Sequence, residues 1–124
     1  MATVTPLFQR DIQPNDGSVI LVSWALTTAD FDGARVEWTQ WSDRCFQAAG
    51  TFGGATVTIE GSNNGTIWFP LSNAAGGATA TFTVDGGKQI IELPRFVRPN
   101  LTVVGAGATI TVTLLARRQQ PIKG

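Results

Sequence analysis

The stretch TVTIEGSNNGTIWFPL, residues 56–71, carries the reading of the fold. Val57 and Ile59 alternate with Thr56, Thr58 and Glu60, the period of two expected of a strand with one face buried and one in water. Asn64-Gly65 follows, a pair that tolerates the positive φ angles of a type I′ turn and so favours a hairpin. The expectation is a strand over residues 56–61, a turn at 63–65 and a return strand over 66–71, with Val57, Ile59 and Trp68 in the core.

The same period recurs outward from this hairpin. At residues 109–114, Ile110, Val112 and Leu114 alternate with three threonines, and Phe82 and Val84 alternate with Thr81 and Thr83. Further strands are expected at residues 19–26, 35–41, 44–52, 88–92 and 95–104, where Pro99 implies an edge or a bulge because proline donates no ladder hydrogen bond. Eight or nine short strands separated by Gly, Asn and Asp indicate an all-β chain, a single-domain antiparallel β-sandwich or jelly-roll-like fold spanning residues 18–118. The ends depart from the pattern. Residues 1–17 hold Pro6 and Pro14 with little alternation, and residues 119–124 are polar with a late proline, so both read as extended arms or frayed tails. The N-terminal arm still carries Thr5, Pro6, Leu7, Phe8 and Ile12, more apolar content than a purely solvated tail keeps.

The chain has 124 residues, 43% of them hydrophobic, including four Trp and seven Phe. That suffices for one core without a metal or disulfides. Nine basic and nine acidic residues cancel, and neither sign forms a block, so the sequence lacks the footprint of a nucleic-acid or anionic-membrane binder. No export signal or apolar run long enough to span a membrane is visible. Cys45, the single cysteine, cannot form an internal bridge and lies in an alternating run, where a free thiol is expected to be a small buried apolar group.

Catalytic chemistry is sparse. The chain has no histidine, which closes Ser-His-Asp and Cys-His mechanisms and the usual Cys/His zinc sites. It has neither a GxxxxGK[ST] loop nor a GxGxxG turn, and residues 50–54 read as flexible chain between strands. Asp30, Asp32, Asp43, Glu60, Asp85 and Glu92 are available as paired carboxylates, but they are scattered beside Gly, Ser and Asn, where Asx turns and solvated strand faces account for them. The Asp30-Phe31-Asp32-Gly33 run lacks the remaining oxygen ligands of a calcium loop. The expectation is therefore no enzyme, no cofactor and no metal. Trp38 and Trp41, three apart, would point to opposite faces of a regular strand, so either a bulge separates them or one is exposed. An exposed Trp41 would bind a protein neighbour or a sugar.

GTFGGATVTIEGSNNGTIWFPL, residues 50–71, resembles a stretch of small phage virion proteins, and ARVEWTQWSDRCFQAAG before it and RFVRPNLTVVGAGATITVTLLARR after it share the likeness. The resemblance covers roughly residues 18–118 and points to the capsid decoration, or cement, proteins of tailed bacteriophages. It implies a virion protein made in the host cytoplasm and bound to the major capsid protein on the outside of the shell, as a homotrimer on local three-fold positions. It offers no catalytic residues to carry over. Because the hairpin motif also occurs in tail components and carbohydrate-binding sandwiches, a tail or baseplate accessory and a glycan-binding module using Trp41 or Trp68 remain alternatives. In the decoration reading, partner binding is expected at Thr5, Pro6, Leu7, Phe8 and Ile12 of the arm and at Trp41.

Overall fold

A computed structural model describes residues 3–10, 19–37 and 43–117. All regular structure among them is β. Sheet A has six strands in the order β1 (Thr3–Val4), β4 (Asp32–Gly33), β10 (Phe96–Val103), β6 (Thr56–Ser62) and β7 (Phe69–Pro70), with β8 (Thr81–Phe82) also paired to β6. Sheet B has five, in the order β2 (Leu7–Arg10), β3 (Val19–Thr27), β11 (Thr109–Arg117), β5 (Asp43–Thr51) and β9 (Gly86–Gln89). All pairings are antiparallel except β1 with β4. The two sheets pack face to face as a β-sandwich.

Alternation explains the core. Ile20, Val22, Trp24 and Leu26 of β3 lie beside Ile110, Val112, Leu114 and Ala116 of β11 and Phe46 and Ala48 of β5, all buried. Val57, Ile59, Val97 and Leu101 of sheet A close the same cluster from the other side. Trp24 and Phe46 stack with ring centroids 6.4 Å apart. The Trp24 indole Nε1 donates to Ala34 O at 2.9 Å, so the largest core ring buries no unsatisfied donor. That bond also ties sheet B to the chain leaving β4.

Several expectations are corrected. Trp68 is half-buried outside the core, because the β6–β7 connection is not a two-residue turn. Gly61 pairs with Phe69, leaving residues 63–68 as a loop. Gly65 has the positive φ, +77°, while the Asn64 carboxamide Oδ1 accepts from the backbone N–H groups of Thr66 and Ile67, both at 2.9 Å. An Asx-turn side chain thus replaces the backbone turn. Val84 is 70% exposed, since β8 ends at Phe82. The strand expected at 88–92 is displaced to Gly86–Gln89. Of that expected at 35–41, the described part forms only the bridge between Val36 and Val97.

Cys45 is exposed. Phe46 and Ala48 claim the inner face of β5, and parity then sends Cys45 outward and Arg44 inward, where it is 2% exposed. Burial lowers the Arg44 pKa from the usual guanidinium range, and Arg44 Nη1 donates to Pro94 O at 3.4 Å. Residues 50–54 are not flexible chain. Gly50 and Thr51 finish β5, and a turn over 52–55 is closed by Ala55 N donating to Phe52 O at 2.9 Å. Gly53, at φ +58°, accepts from Ala106 N at 3.0 Å, and a Cβ there would lie 2.2 Å from Ala106 O.

Pro99 lies within β10, opposite Ile59. The neighbouring donors on its β4 side are Val97 N to Val36 O and Leu101 N to Phe31 O, both 3.0 Å. Between them the partner is Gly33, whose Cβ, were it present, would lie 2.7 Å from the Pro99 ring. The missing donor is therefore met by a two-residue strand with a glycine at the contact. The expected irregularity follows as a register shift between Leu101 and Val103.

The N-terminal segment is drawn into the sandwich as far as it is described. Thr3–Val4 pairs with β4 in sheet A and Leu7–Arg10 pairs with β3 in sheet B, so the chain crosses between sheets at Thr5–Pro6. Val4 packs against the core. Leu7, on the β2 edge strand, is 75% exposed.

Candidate functional site

Two outer faces are available for recognition. On sheet A, antiparallel register sets Glu60 opposite Arg98 and Thr58 opposite Asn100. Glu60 Oε1 accepts from Arg98 Nε at 3.0 Å and from Asn100 Nδ2 at 3.4 Å. The Arg98 and Glu60 side chains are only 22% and 15% exposed, so this pair is less screened than a rim ion pair. The Arg98 guanidinium stacks 4.0 Å above the Trp68 ring, a cation–π contact that roofs the network. Thr58 and Thr102 share a 2.8 Å hydrogen bond alongside. Asn100 Oδ1 is the one buried side-chain polar atom without a partner among the described residues.

The hairpin loop beside this network is pinned from below. Phe96 lies between the guanidinium groups of Arg35 and Arg95, at 4.4 and 4.9 Å from its ring centroid. Arg35 Nη1 donates to Gly65 O at 3.4 Å, and Arg95 N donates to Asn63 Oδ1 at 3.1 Å. Arg95 also pairs with Glu37. The loop is thus held from two separate segments, by the Arg35 side chain and by the Arg95 backbone.

The outer face of sheet B differs. Its outward positions are Val19, Leu21, Ser23, Ala25 and Thr27 on β3, alternate residues from Asp43 to Thr51 on β5, and alternate residues from Thr109 to Arg117 on β11. Of these outward positions only Asp43 and Arg117 are charged, the one further charge on the three strands, Arg44, being turned inward. They are bonded to each other at 3.1 Å. Leu21, Leu115 and Cys45 form one row across the three strands.

Two further carboxylates, Asp85 and Glu92, accept hydrogen bonds from the backbone. Asp85 Oδ1 accepts from Gly50 N at 3.0 Å beside a shallow depression of about 370 Å³ lined by Gln47, Ala48, Ala49, Gly86 and Gly87. Glu92 accepts from Ser72 N at 2.6 Å and from Ser72 Oγ at 2.7 Å. Burial tends to raise the Glu92 pKa, but the Ser72 hydrogen bonds, together with one from the Glu92 backbone, outweigh it and the net direction is downward. Asp30 sits in a turn where its own N donates to Thr27 Oγ1 at 2.9 Å. Among the described residues no three His, Cys, Asp or Glu cluster as metal ligands, and no helix is long and apolar enough to cross a membrane.

Among the described side chains of the expected partner-binding residues, Leu7 projects as an exposed apolar one. Thr5 is exposed and Pro6 half-buried at the crossing between sheets. Phe8 belongs to β2 by its pairing with Val22. Ile12 and Trp41 lie outside the described residues, as does Trp38. The sequence reading did not anticipate the Arg98–Trp68 stack or the uncharged face of sheet B. The first joins residues thirty apart, and the second depends on strand order. Protein-family models, curated proteins and solved structures were all compared with this chain, and none matches.

Proposed function

We propose that this chain is a structural protein of a bacteriophage virion, a decoration protein that binds the outside of the assembled shell and stabilises it. The observation that carries the reading is the likeness of residues 50–71, with their flanks, to small phage virion proteins. In this molecule that stretch comprises the end of β5, the turn at Gly53, strand β6 and the pinned hairpin loop. A cement protein works by linkage, because a ligand that binds only the assembled shell raises its stability by an amount set by affinity and occupancy. A rigid sandwich suits that task, since little chain entropy is lost on docking. The partner in this reading is the major capsid protein, and three copies would meet about each local three-fold axis.

The crossing of the N-terminal segment between sheets changes how this is tested. Deleting residues 2–14 would remove β1 and β2 from the sandwich itself, so lost binding would not isolate an arm. The test is instead to add the purified full chain to shells lacking it, and to measure occupancy by electron microscopy and the temperature at which particles release DNA. Saturable occupancy on the shell with a raised release temperature is expected. Density confined to the tail or baseplate would favour the accessory role, and no particle binding would sink both. The glycan reading is weakened at Trp68, where Arg98 already covers one ring face.

A further inference from the structure

We infer that the outer face of sheet B is a self-association surface that packs against the same face of a second copy of this chain. The motivating feature is the row Leu21–Leu115–Cys45, which register places side by side on β3, β11 and β5. Leu115 is 37% exposed and Cys45 is exposed. Leu7 extends the patch from β2, opposite Ser23 and one diagonal step from Leu21. Around the row lie threonines, Ser23, Ala25 and Gln47, all uncharged. A solvated sheet face ordinarily carries interspersed Lys and Glu. Here the two outward-facing charges of the central strands, Asp43 and Arg117, neutralise each other at one end, and Gln89 Nε2 donates to the same Asp43 carboxylate at 3.1 Å.

Three considerations point to a second copy as the occupant. Complementarity comes first. The partner must be pleated and without unpaired charge, and this face meets both requirements for itself, so two copies facing one another set no unpaired charges together. A two-fold axis needs only one such self-complementary patch. The second is area. Three strands of nine residues flanked by two of four cover about 550 Å² at about 4.8 Å by 3.4 Å per residue. A pair therefore buries about 1,100 Å², just above the lower bound for a specific interface. An interface of that size belongs with the small, reversible ones. The third is the contrast with sheet A, whose outer face is occupied by its own ion pair and the Trp68 ring. Neighbouring three-fold positions of an icosahedral lattice are related by two-fold axes, so such a pair and a ring of three are compatible.

The test needs no shell and is read in solution, so it stands or falls independently of the virion reading. Sedimentation equilibrium of the full chain from about 5 to 500 μM should show a shift from 13.2 kDa toward twice that mass. Leu115→Lys and, separately, Thr113→Lys should each weaken association at least about tenfold, because each sets like charges against one another across the axis. Thr3→Lys, an exposed position in the same cross-strand row as Asp32 on sheet A, should leave association unchanged. A bismaleimide of about 15 Å should join two wild-type chains through Cys45, given sheets about 10 Å apart, and should fail with Cys45→Ser. A wild-type chain that stays monomeric throughout would overturn the proposal, as would an oligomer that survives both lysine substitutions with the fold intact by circular dichroism.

Discussion

The outer faces of the two sheets present opposite solutions to the same problem. Both sheets send an alternating apolar set inward and must do something with the set facing out. Sheet A spends its outward positions on a half-buried network in which Glu60 holds Arg98 and Asn100, and Arg98 lies over Trp68. Sheet B leaves its outward positions to threonine, leucine, alanine and a thiol, with one exposed ion pair at the end. A face whose charged groups are paired with one another has little charge left to offer a partner. One that carries apolar side chains and no unpaired charge gains by being covered.

The comparison can be broken at several points, beginning with the interior that both faces share. Trp24→Ala should cost about 3–5 kcal/mol by urea denaturation, because it removes a fully buried ring stacked on Phe46 and leaves a cavity between the sheets. A loss below about 1 kcal/mol would mean that the sheets do not depend on a common core. Next comes the contrast between the two ion pairs. Glu60→Ala strips Arg98 and Asn100 of their shared acceptor in a mostly covered site and should cost about 1–3 kcal/mol. Asp43→Ala breaks a pair whose side chains are 62% and 47% exposed and should cost less than about 0.5 kcal/mol. Equal costs would erase the distinction between the faces.

Trp68→Ala should fall between core and surface, at about 1–2 kcal/mol, since the ring is half-buried and its main partner is a guanidinium. The smallest effect expected is a pH dependence at Glu92. A carboxylate whose folded pKa is depressed contributes stability that is present above its unfolded pKa and lost as pH falls through the folded value. Stability should therefore drop slightly on acidification below about pH 4, and Glu92→Gln should flatten that part of the curve in thermal melts.

Much of the architecture was legible beforehand because alternation is a local signal. Val57, Ile59, Ile110, Val112 and Leu114 could be placed inside from their own neighbours, and all are buried. Trp68 could not. Its burial depended on whether the hairpin turned in two residues or six, and that turned on Asn64 capping Thr66 and Ile67 with its side chain. Strand parity was equally hidden in Arg44-Cys45-Phe46-Gln47-Ala48, where the charge argues for Arg44 outside and the aromatic argues for Phe46 inside. Phe46 prevails because its ring stacks on Trp24, and Arg44 follows it inward.

By itself, then, the sequence determined an all-β chain, the approximate places of its longer strands and most of its inward-facing apolar set, since each depends on residues within a few positions of one another. It also determined the absence of histidine chemistry, which is a matter of composition. Only the tertiary structure decided which strands are neighbours, and with them the Glu60–Arg98 network, the Gly33–Pro99 contact and the row Leu21–Leu115–Cys45. The directly adjacent pairs in those groupings lie between thirty-eight and ninety-four positions apart, and no local period encodes a sheet's strand order.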